Sequence, residues 1–340
     1  MRIVVAHSQL NTLGGGERVV LELLRHLSRA HEVTLWAGGY RPELTYPELA
    51  AFPRRDLTTA EWLYRVPDAD LVVTHSFGAH LLALRHPATI CYVHTLRSRY
   101  LRGNGRPDLV ARRWLDRRAL RRAAALATNS DFSARAIARR YGRAAQVIRC
   151  GAAPELLALP ATPGTYALYV GRLAPEKGLD RLLRWSLGLP LALHIAGNGD
   201  ARYTAHLRTL AGPHVRWLGP LRGDDLARAY AGARCVVMLA DAEEFGLAAL
   251  EGMAAARPVV ALRSGGLPEL VADDVSGLLV DDKAGYRRAV ERLAADAALA
   301  ARLGAAGRER ARAYTWEAMA AAVETLGWRV LEQQGAPRTP

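Results

Sequence analysis

The sequence has few cysteines and no long apolar run. Its 340 residues include only three cysteines, Cys91, Cys150 and Cys235, which lie far apart and show no metal-ligand or redox spacing. This usage argues against a disulfide framework and fits a reducing compartment. The apolar run after Met1 ends at His7, too soon for a signal peptide, and no later run reaches the roughly 18 residues that a membrane span needs. We therefore expect a cytoplasmic protein that does not cross a membrane.

Lysine is also scarce, and the basic charge is unevenly distributed. Only two of the 46 basic residues are lysines, Lys177 and Lys283, so a lysine runs against the bias of this chain. The formal net charge is +13, and residues 1–150 carry 24 arginines against 12 acidic residues. Residues 97–149 alone hold 15 of these arginines and three aspartates. A basic region of this density predicts an anionic partner.

Length and hydrophobic patterning predict two α/β domains with doubly wound parallel sheets. Half of the residues are hydrophobic, and 340 residues are enough for two cores. Continuous apolar runs such as Ile3–Ala6 alternate with amphipathic stretches, as in parallel sheets covered by helices on both faces. A stretch rich in proline and glycine interrupts this pattern before it restarts at Tyr166. We predict a first domain at 1–150, a linker at 151–164, a second domain at 165–314, and a terminal helix with a frayed tail at 315–340.

The same patterns predict individual elements. Strands are predicted at 2–6, 32–36, 71–74, 89–93, 146–149, 166–170, 191–196, 215–218, 235–239 and 258–262. Helices are predicted at 16–30, 108–125, 178–186, 200–211, 224–231, 246–256, 284–295, 297–312 and 315–333.

The segment Gly171–Gly178 places two cations between a strand and a helix. Arg172 follows the strand directly, and Lys177 lies just before the helix. Ligands of open α/β sheets bind at the carboxyl ends of the strands, where helix N-termini favour anions. Arg172 can bind two phosphate oxygens at once, and Lys177 adds a point charge. The pattern indicates a diphosphate site, although solvated loop charges are the alternative explanation.

Two glutamates flank the start of a later helix. Glu243 lies in the loop before the helix, and Glu251 lies about two turns into it. Carboxylates accept hydrogen bonds from sugar hydroxyls, so the two side chains can reach separate hydroxyls of one ligand. A glutamate on the inner face of a helix rich in alanine and leucine is costly unless paired, which argues against a packing role for Glu251. An exposed helix charge is the alternative.

Glycines also recur at the strand ends. Gly171 ends one predicted strand, Gly197-Asn198-Gly199 follows the next, and Gly265-Gly266 follows a third. Such residues permit a ligand or another backbone segment to approach closely. We take Gly171, Gly197, Asn198 and Gly199 as candidate donor contacts, although each glycine alone is weak evidence.

Together these motifs resemble those of the family 4 glycosyltransferases with the GT-B fold, over nearly the whole chain. The two spaced glutamates with Phe245-Gly246 are the most specific mark of the resemblance. It implies two Rossmann-like domains facing across a cleft, the first binding the acceptor and the second the nucleotide-sugar. Tyr314-Thr315-Trp316-Glu317 resembles the start of the terminal helix that crosses back to the first domain in this family.

The resemblance also implies roles for individual residues. Arg172 and Lys177 match the contacts to the donor diphosphate, Glu251 the contact to the nucleotide ribose, and Glu243 the contact to the transferred sugar. The backbone amides of Phe245, Gly246 and Leu247 complete that site. Gly15 and Gly16, in the loop after the first strand, match the family's glycine loop, and His94 matches its active-site histidine. The implied catalytic set is Arg172, Lys177, Glu243 and His94.

The implied reaction is sugar transfer with retention of anomeric configuration. The departing diphosphate oxygen helps to deprotonate the acceptor, so no enzyme nucleophile is required. Arg172 and Lys177 can meet the charge on the diphosphate and no paired-aspartate motif stands out, so we expect no cofactor and no divalent metal. The segment His94–Tyr100 resembles that of mannosyltransferases and favours a GDP-mannose-like donor, with UDP-sugars as the other choice. The acceptor is expected on a cell-surface glycan or glycolipid. Two departures from the family, Ala240-Asp241 and Arg257, leave the sugar preference open.

The arginine-rich region 97–149 suggests where the acceptor docks. Its predicted helix, Asp108–Ala125, carries six arginines beside apolar residues, which suits an anionic bilayer or a lipid-diphosphate acceptor at the inner face of the cell membrane. A solvated arginine face is the alternative. Nucleic acid binding is not expected, because the region lacks an aromatic reading motif.

Two other functions share this architecture. A GT-B-fold sugar-nucleotide epimerase would keep the nucleotide-diphosphate site. A catalytically idle GT-B module could scaffold a polysaccharide assembly complex. The spacing of the glutamates with Arg172 and Lys177 favours transfer over the epimerase. The presence of every proposed contact, including one of only two lysines, argues against the idle module.

Overall fold

The computed structural model describes residues 1–58, 60–94 and 107–335, which fold into two compact units. The first unit comprises Met1–Gly151 and Trp316–Pro340, and the second comprises Ala152–Thr315. Each unit is built on one parallel sheet with helices on both faces. The predicted pair of doubly wound α/β domains is confirmed.

The sheet of the first unit has seven parallel strands in the order β3-β2-β1-β4-β5-β6-β7. The central strands are apolar on both faces: Val5, Val72 and Val73 have no exposed surface. Burial of both faces explains their unbroken apolar sequences. The strands are β1 Arg2–His7, β2 Glu32–Ala37, β3 Arg54–Asp56, β4 Leu71–Thr74, β5 Thr89–Val93, β6 Ala125–Thr128 and β7 Gln146–Val147.

The described residues of the first unit form six α-helices. They are α1 Gly15–Leu27, α2 Glu61–Tyr64, α3 Phe77–His80, α4 Pro107–Arg122, α5 Asp131–Tyr141 and the terminal α14 Trp316–Gln333. α14 packs against α1, and two histidines join the helices: His26 lies 3.1 Å from Glu317, and His31 lies 2.9 Å from Glu324. Over the described ranges, no helix combines the length and the apolar character needed to span a bilayer.

The sheet of the second unit has six parallel strands in the order β10-β9-β8-β11-β12-β13. The strands are β8 Tyr166–Val170, β9 Ala192–Ala196, β10 Val215–Gly219, β11 Ala233–Met238, β12 Val259–Leu262 and β13 Gly277–Val280. Helices flank this sheet: α6 Pro154–Leu157, α7 Leu179–Ser186, α8 Ala201–Leu210, α9 Gly223–Ala231, α10 Leu247–Ala254, α11 Leu267–Leu270, α12 Lys283–Ala295 and α13 Ala297–Ala311.

Two arginines hold the segment 159–162 against the second unit. Arg257 is fully buried and donates to the carbonyl oxygens of Thr162, at 2.5 Å, and Pro160. Arg308 donates to the carbonyl of Leu159 at 2.6 Å. Burial first, and the nearby Arg308 next, lower the pKa of Arg257 to about 10. Arg257 is therefore a structural residue.

The strand order reverses at one place in each sheet. In the first unit β1 lies between β2 and β4, and in the second unit β8 lies between β9 and β11. The loops after the two strands at such a reversal run in opposite directions and leave a crevice at the carboxyl edge. The expected ligand-binding positions are therefore the loops after β1 and β4 and the loops after β8 and β11.

Candidate functional site

Arg172 and Lys177 lie in the loop after β8. This loop contains a short 3-10 turn, Pro175–Lys177, and leads directly into α7. The hydroxyl of Tyr169, which is buried in β8, donates to the carbonyl oxygen of Arg172 at 2.9 Å and so fixes the start of the loop. The Arg172 side chain is about half exposed and lies 3.0 Å from Glu176. A half-exposed guanidinium in this position can bind a phosphate group.

Lys177 binds Glu243 directly. The ammonium Nζ lies 2.9 Å from Oε1 and 2.8 Å from Oε2 of the carboxylate, so the ion pair uses two of its three N–H donors. The side chains are 21% and 9% exposed, which means that the pair is largely shielded from water. The pair joins the loop after β8 to the loop after β11, across the reversal of strand order. A cation and a carboxylate are thereby held at one point of the carboxyl edge.

The backbone beside Glu243 is strained. Ala242 has a φ of 50°, in the left-handed region that costs energy for a residue with a Cβ. Its amide donates to the hydroxyl of Ser264 at 2.9 Å, and Gly266 N donates to the carbonyl of Glu243 at 2.7 Å. The loop after β12 therefore holds the conformation that directs Glu243 toward Lys177.

α10 begins immediately after this loop. Gly246 precedes the helix with a φ of 94°, and a side chain here would be strained. Gly246 also offers no side chain to cap the first turn, so the amide N–H groups of that turn can meet an anion. Phe245 is buried, with its ring 6.4 Å from that of Tyr314. The backbone at Phe245, Gly246 and Leu247 is thus fixed by packing.

Glu251 lies on α10 and has a buried partner. The hydroxyl of Tyr230, on α9, donates to Glu251 Oε2 at 2.7 Å. Tyr230 has no exposed surface, whereas Glu251 is partly exposed. The tyrosine therefore fixes one oxygen of the carboxylate from the protein interior. The sequence reasoning did not identify Tyr230.

The glycines after β9 contact the protein's own backbone. A Cβ on Gly197 would lie 1.9 Å from the carbonyl oxygen of Gly171, and one on Gly199 would lie 2.0 Å from that of Leu173. Leu173 N also donates to the carbonyl of Asn198 at 2.8 Å. Close packing of the two loops thus accounts for Gly197 and Gly199 without a ligand, and it positions the start of the Arg172 loop.

The first unit gathers histidines at the ends of its central strands. His7 ends β1, His75 follows β4, and His94 follows β5. His75 Nδ1 lies 2.9 Å from His94 Nε2, and the two rings stack with 5.1 Å between their centres. His80, on α3, hydrogen-bonds through Nδ1 to the hydroxyl of Thr74 at 2.7 Å. Of this cluster, the sequence reasoning identified only His94.

Burial keeps these histidines neutral. It lowers the pKa of His7 to about 4, and that of His80 to about 3 with a further contribution from His7. Burial, with His7 and His80 as additional causes, lowers the pKa of His94 to about 3. The pKa of His75 is lowered well below 6.5 by burial first and by the other histidines next. Neutral imidazoles act as one donor and one acceptor each, not as cations.

The glycine loop lies beside this cluster. α1 begins at Gly15, and the position of a Cβ on Gly16 lies 3.7 Å from His7 Nε2. The carboxylate of Glu17, in the first turn of α1, accepts a 2.5 Å hydrogen bond from Thr12. The rest of the predicted segment His94–Tyr100 lies outside the described residues. No group of three or more potential metal ligands occurs in the described part of the chain.

Comparisons with known proteins identify two matching family models. Residues 13–156 match the one described as Glycosyltransferase Family 4, and residues 159–310 match the one described as Glycosyl transferases group 1. A D-inositol 3-phosphate glycosyltransferase from Streptomyces bingchenggensis is 34% identical over 200 residues, which are 53% of this chain and 42% of that protein. The chain spans about two fifths of the length of the curated relatives it matches.

Solved structures share the fold at low sequence identity. HepE from Anabaena in complex with UDP and glucose superimposes with a TM-score of 0.82 at 18% identity, covering 96% of this chain and 99% of HepE. WaaG, a glycosyltransferase involved in lipopolysaccharide biosynthesis, gives a TM-score of 0.73 at 15% identity, covering 95% and 99% of the two chains. The predicted GT-B fold class is therefore confirmed.

Proposed function

We propose that this chain, whose residues 13–156 and 159–310 match the two glycosyltransferase family models, transfers a sugar from a nucleotide-diphosphate donor to a hydroxyl group of an acceptor, with retention of configuration. The observation that carries the proposal is the Lys177–Glu243 pair at the strand-order reversal of the second unit. It combines a cation for the diphosphate with a carboxylate for sugar hydroxyls at one point of the carboxyl edge.

The donor diphosphate would bind between the two loops of the second unit. Arg172, Lys177 and the amides at the start of α10 would stabilise the charge that develops on the leaving diphosphate. Glu251, fixed by Tyr230, would accept hydrogen bonds from the ribose. When the donor binds, Glu243 would exchange one of its two contacts with Lys177 for a hydrogen bond from the transferred sugar. Lys177 could then bind the phosphate. His94 and the Gly15-Gly16 loop lie in the first unit, and we propose that they too contact the substrate.

Charge stabilisation by these groups needs no divalent cation, and we include metal independence in the proposal. The departing phosphate oxygen would take the acceptor proton, so the protein would supply no nucleophile. The test is a turnover measurement with EDTA and with added Mg²⁺ or Mn²⁺. Turnover abolished by EDTA and restored by either metal would contradict this part of the proposal.

The donor base is the first quantity to determine. HepE binds UDP and UDP-glucose, which supports a UDP-sugar, whereas the segment His94–Tyr100 favours a GDP-mannose-like donor. We would titrate the protein with UDP, GDP, UDP-glucose, UDP-GlcNAc and GDP-mannose by calorimetry. One nucleotide should bind, and Lys177→Ala and Glu251→Ala should weaken it. Lys283→Ala is the matched control, because Lys283 is the only other lysine and is exposed at the start of α12.

The outcomes separate the competing functions. Binding of one nucleotide, weakened by both site variants and not by the control, supports the donor site. Release of free epimerised sugar-nucleotide without any acceptor would support an epimerase. No binding of any nucleotide would contradict the donor site and support an idle GT-B module.

We further propose that the acceptor is part of a cell-surface glycan or glycolipid and that α4 contacts the inner face of the cell membrane. The similarity to WaaG supports the cell-surface role. α4 exposes Trp114, which is 60% exposed, beside Arg117, Arg118, Arg121 and Arg122. The Arg118 guanidinium lies 5.4 Å from the centre of the Trp114 ring. An exposed indole among arginines suits the interface of an anionic bilayer.

Vesicle sedimentation tests this surface. We expect the protein to bind vesicles of phosphatidylcholine with about a third phosphatidylglycerol, and not vesicles of pure phosphatidylcholine. Each basic residue near an anionic surface contributes roughly 1 kcal/mol to the free energy of binding. Arg117→Gln with Arg121→Gln should reduce binding. Arg202→Gln with Arg302→Gln is the control, since it removes the same charge from exposed positions of the second unit. Equal effects of the two pairs would indicate a general charge effect and contradict a specific surface.

A further inference from the structure

His75 occupies a position next to His94 that the proposed reaction does not yet use. It follows β4, whereas His94 follows the neighbouring strand β5. Its backbone amide donates to the carbonyl of Ala6 at 2.9 Å, and its ring stacks on Tyr92 with 5.3 Å between the ring centres. Tyr92 is itself anchored by a hydrogen bond from its hydroxyl to the carbonyl of Ile148. The orientation of the His75 ring is therefore fixed from two sides.

The contact between the two histidines allows only two arrangements of protons when both rings are neutral. Either His75 Nδ1–H donates to His94 Nε2, or His94 Nε2–H donates to His75 Nδ1. The second nitrogen of His75, Nε2, is buried and has no hydrogen-bond partner among the described residues. In the first arrangement Nε2 carries only a lone pair. In the second it carries a buried N–H without an acceptor, and such orphaned donors are rarer in proteins than unsatisfied acceptors.

We propose that His75 is a positioning residue that donates its Nδ1–H to His94 and thereby holds His94 in the tautomer with the proton on Nδ1. His94 then presents an N–H donor on the side of its ring away from His75. In that form it donates a hydrogen bond to an oxygen atom of the substrate, and it does not act as a base through that nitrogen. The catalytic consequence rests on the proposed sugar transfer, whereas the tautomer itself does not.

The tautomer can be measured without a substrate. We would label the full-length protein with ¹⁵N-histidine, record long-range ¹H–¹⁵N correlations at pH 7.5, and assign His94 from the signals lost in His94→Gln. The expected spectrum shows His94 protonated on Nδ1 and unprotonated on Nε2. A His94 ring protonated on Nε2 in the unmodified protein would overturn the proposal.

Two variants test the role of His75 in setting that tautomer. His75→Asn keeps an amide N–H at the position of Nδ1 and should preserve the tautomer, whereas His75→Leu should release it. His86→Leu is the matched control, because His86 is also buried in this unit but hydrogen-bonds to the carbonyl of Ala69 instead of His94. An unchanged His94 tautomer in folded His75→Leu would contradict the proposal. If that variant does not fold, the unmodified protein and His75→Asn still decide it.

Turnover provides a second measurement. With the donor identified by calorimetry, we expect His75→Leu to lower kcat at least about tenfold with a smaller change in KM, because a catalytic histidine in the wrong tautomer loses its transition-state contact. His75→Asn should recover most of kcat. If the spectrum shows His94 protonated on Nδ1 but calorimetry shows no binding of any nucleotide, the proposed function is contradicted and the tautomer assignment stands. Equal kcat losses in His75→Asn and His75→Leu would instead indicate a merely structural role.

Discussion

Tyr230→Phe separates the role of Glu251 from the general stability of the second unit. The substitution keeps the buried ring and removes only the hydroxyl, which donates to Glu251 Oε2 at 2.7 Å and lies 3.5 Å from the carbonyl oxygen of Ala248. Hydrogen bonds to charged groups contribute about 1.5–3 kcal/mol to stability, and the partial exposure of Glu251 favours the lower end. At about 2–4 °C per kcal/mol for a domain of this size, we expect the Tm to fall by about 3–6 °C.

The same change should weaken nucleotide binding. Without the Tyr230 hydroxyl the Glu251 carboxylate loses the contact that fixes Oε2, so more of its ordering must take place when the ribose binds. Ordering one such side chain costs about 0.5–1.5 kcal/mol, which corresponds to about a 2- to 12-fold higher Kd. Calorimetric titration with the nucleotide that binds most tightly measures this, and differential scanning calorimetry measures the Tm.

Tyr286→Phe is the matched control. Tyr286 is also fully buried in the second unit, and its hydroxyl lies 2.9 Å from that of Ser186, away from Glu251. This variant should lose about 0.5–1.5 kcal/mol of stability, as expected for a neutral hydrogen bond, with an unchanged Kd. The reasoning would be refuted if Tyr230→Phe left the Kd unchanged while lowering the Tm, or if both variants raised the Kd equally.

Two further predictions concern stability. Arg257→Met should destabilise the second unit by roughly 2 kcal/mol or more, because it leaves the carbonyls of Pro160 and Thr162 without their donor; an unchanged urea midpoint would contradict this. The first unit should lose stability as the pH falls from about 6.5 toward 4, because His7, His80 and His94 bind protons in the unfolded chain but stay neutral in the folded protein. Each of these histidines accounts for up to about 1.4 kcal/mol per pH unit, and a urea midpoint that stays flat between pH 7.5 and 5 would rule this out.

The elements that the sequence determined are those with a strong local pattern. Strands β4, β5 and β8 have the predicted bounds, because their apolar runs are continuous and end at polar or glycine residues. The six helices predicted in the second unit agree within one or two residues with the structure, whereas the four-residue helices α6 and α11 were not predicted. In these segments the local pattern and the tertiary environment favour the same structure, so periodicity alone is sufficient.

The sequence analysis did not predict three of the strands. β3 is Arg54–Asp56, whose three residues are charged and exposed, so it shows no apolar pattern and forms by pairing with β2. β13 was not predicted. β6, Ala125–Thr128, begins where the predicted helix 108–125 was expected to end. α4 in fact ends at Arg122, where the Arg143 guanidinium caps the carbonyls of Leu120, Arg121 and Ala123 from outside the helix.

The sequence by itself determined which residues have the right chemistry for a donor site, because cations, carboxylates and glycines at strand ends follow a local pattern. Only the tertiary structure decided their partners. Lys177 and Glu243 are 66 residues apart, Tyr230 and Glu251 are 21 apart, and His75 and His94 are 19 apart. These contacts depend on strand order and loop conformation, which bring the ends of neighbouring strands to one edge of a sheet, and no local pattern records which strands become neighbours.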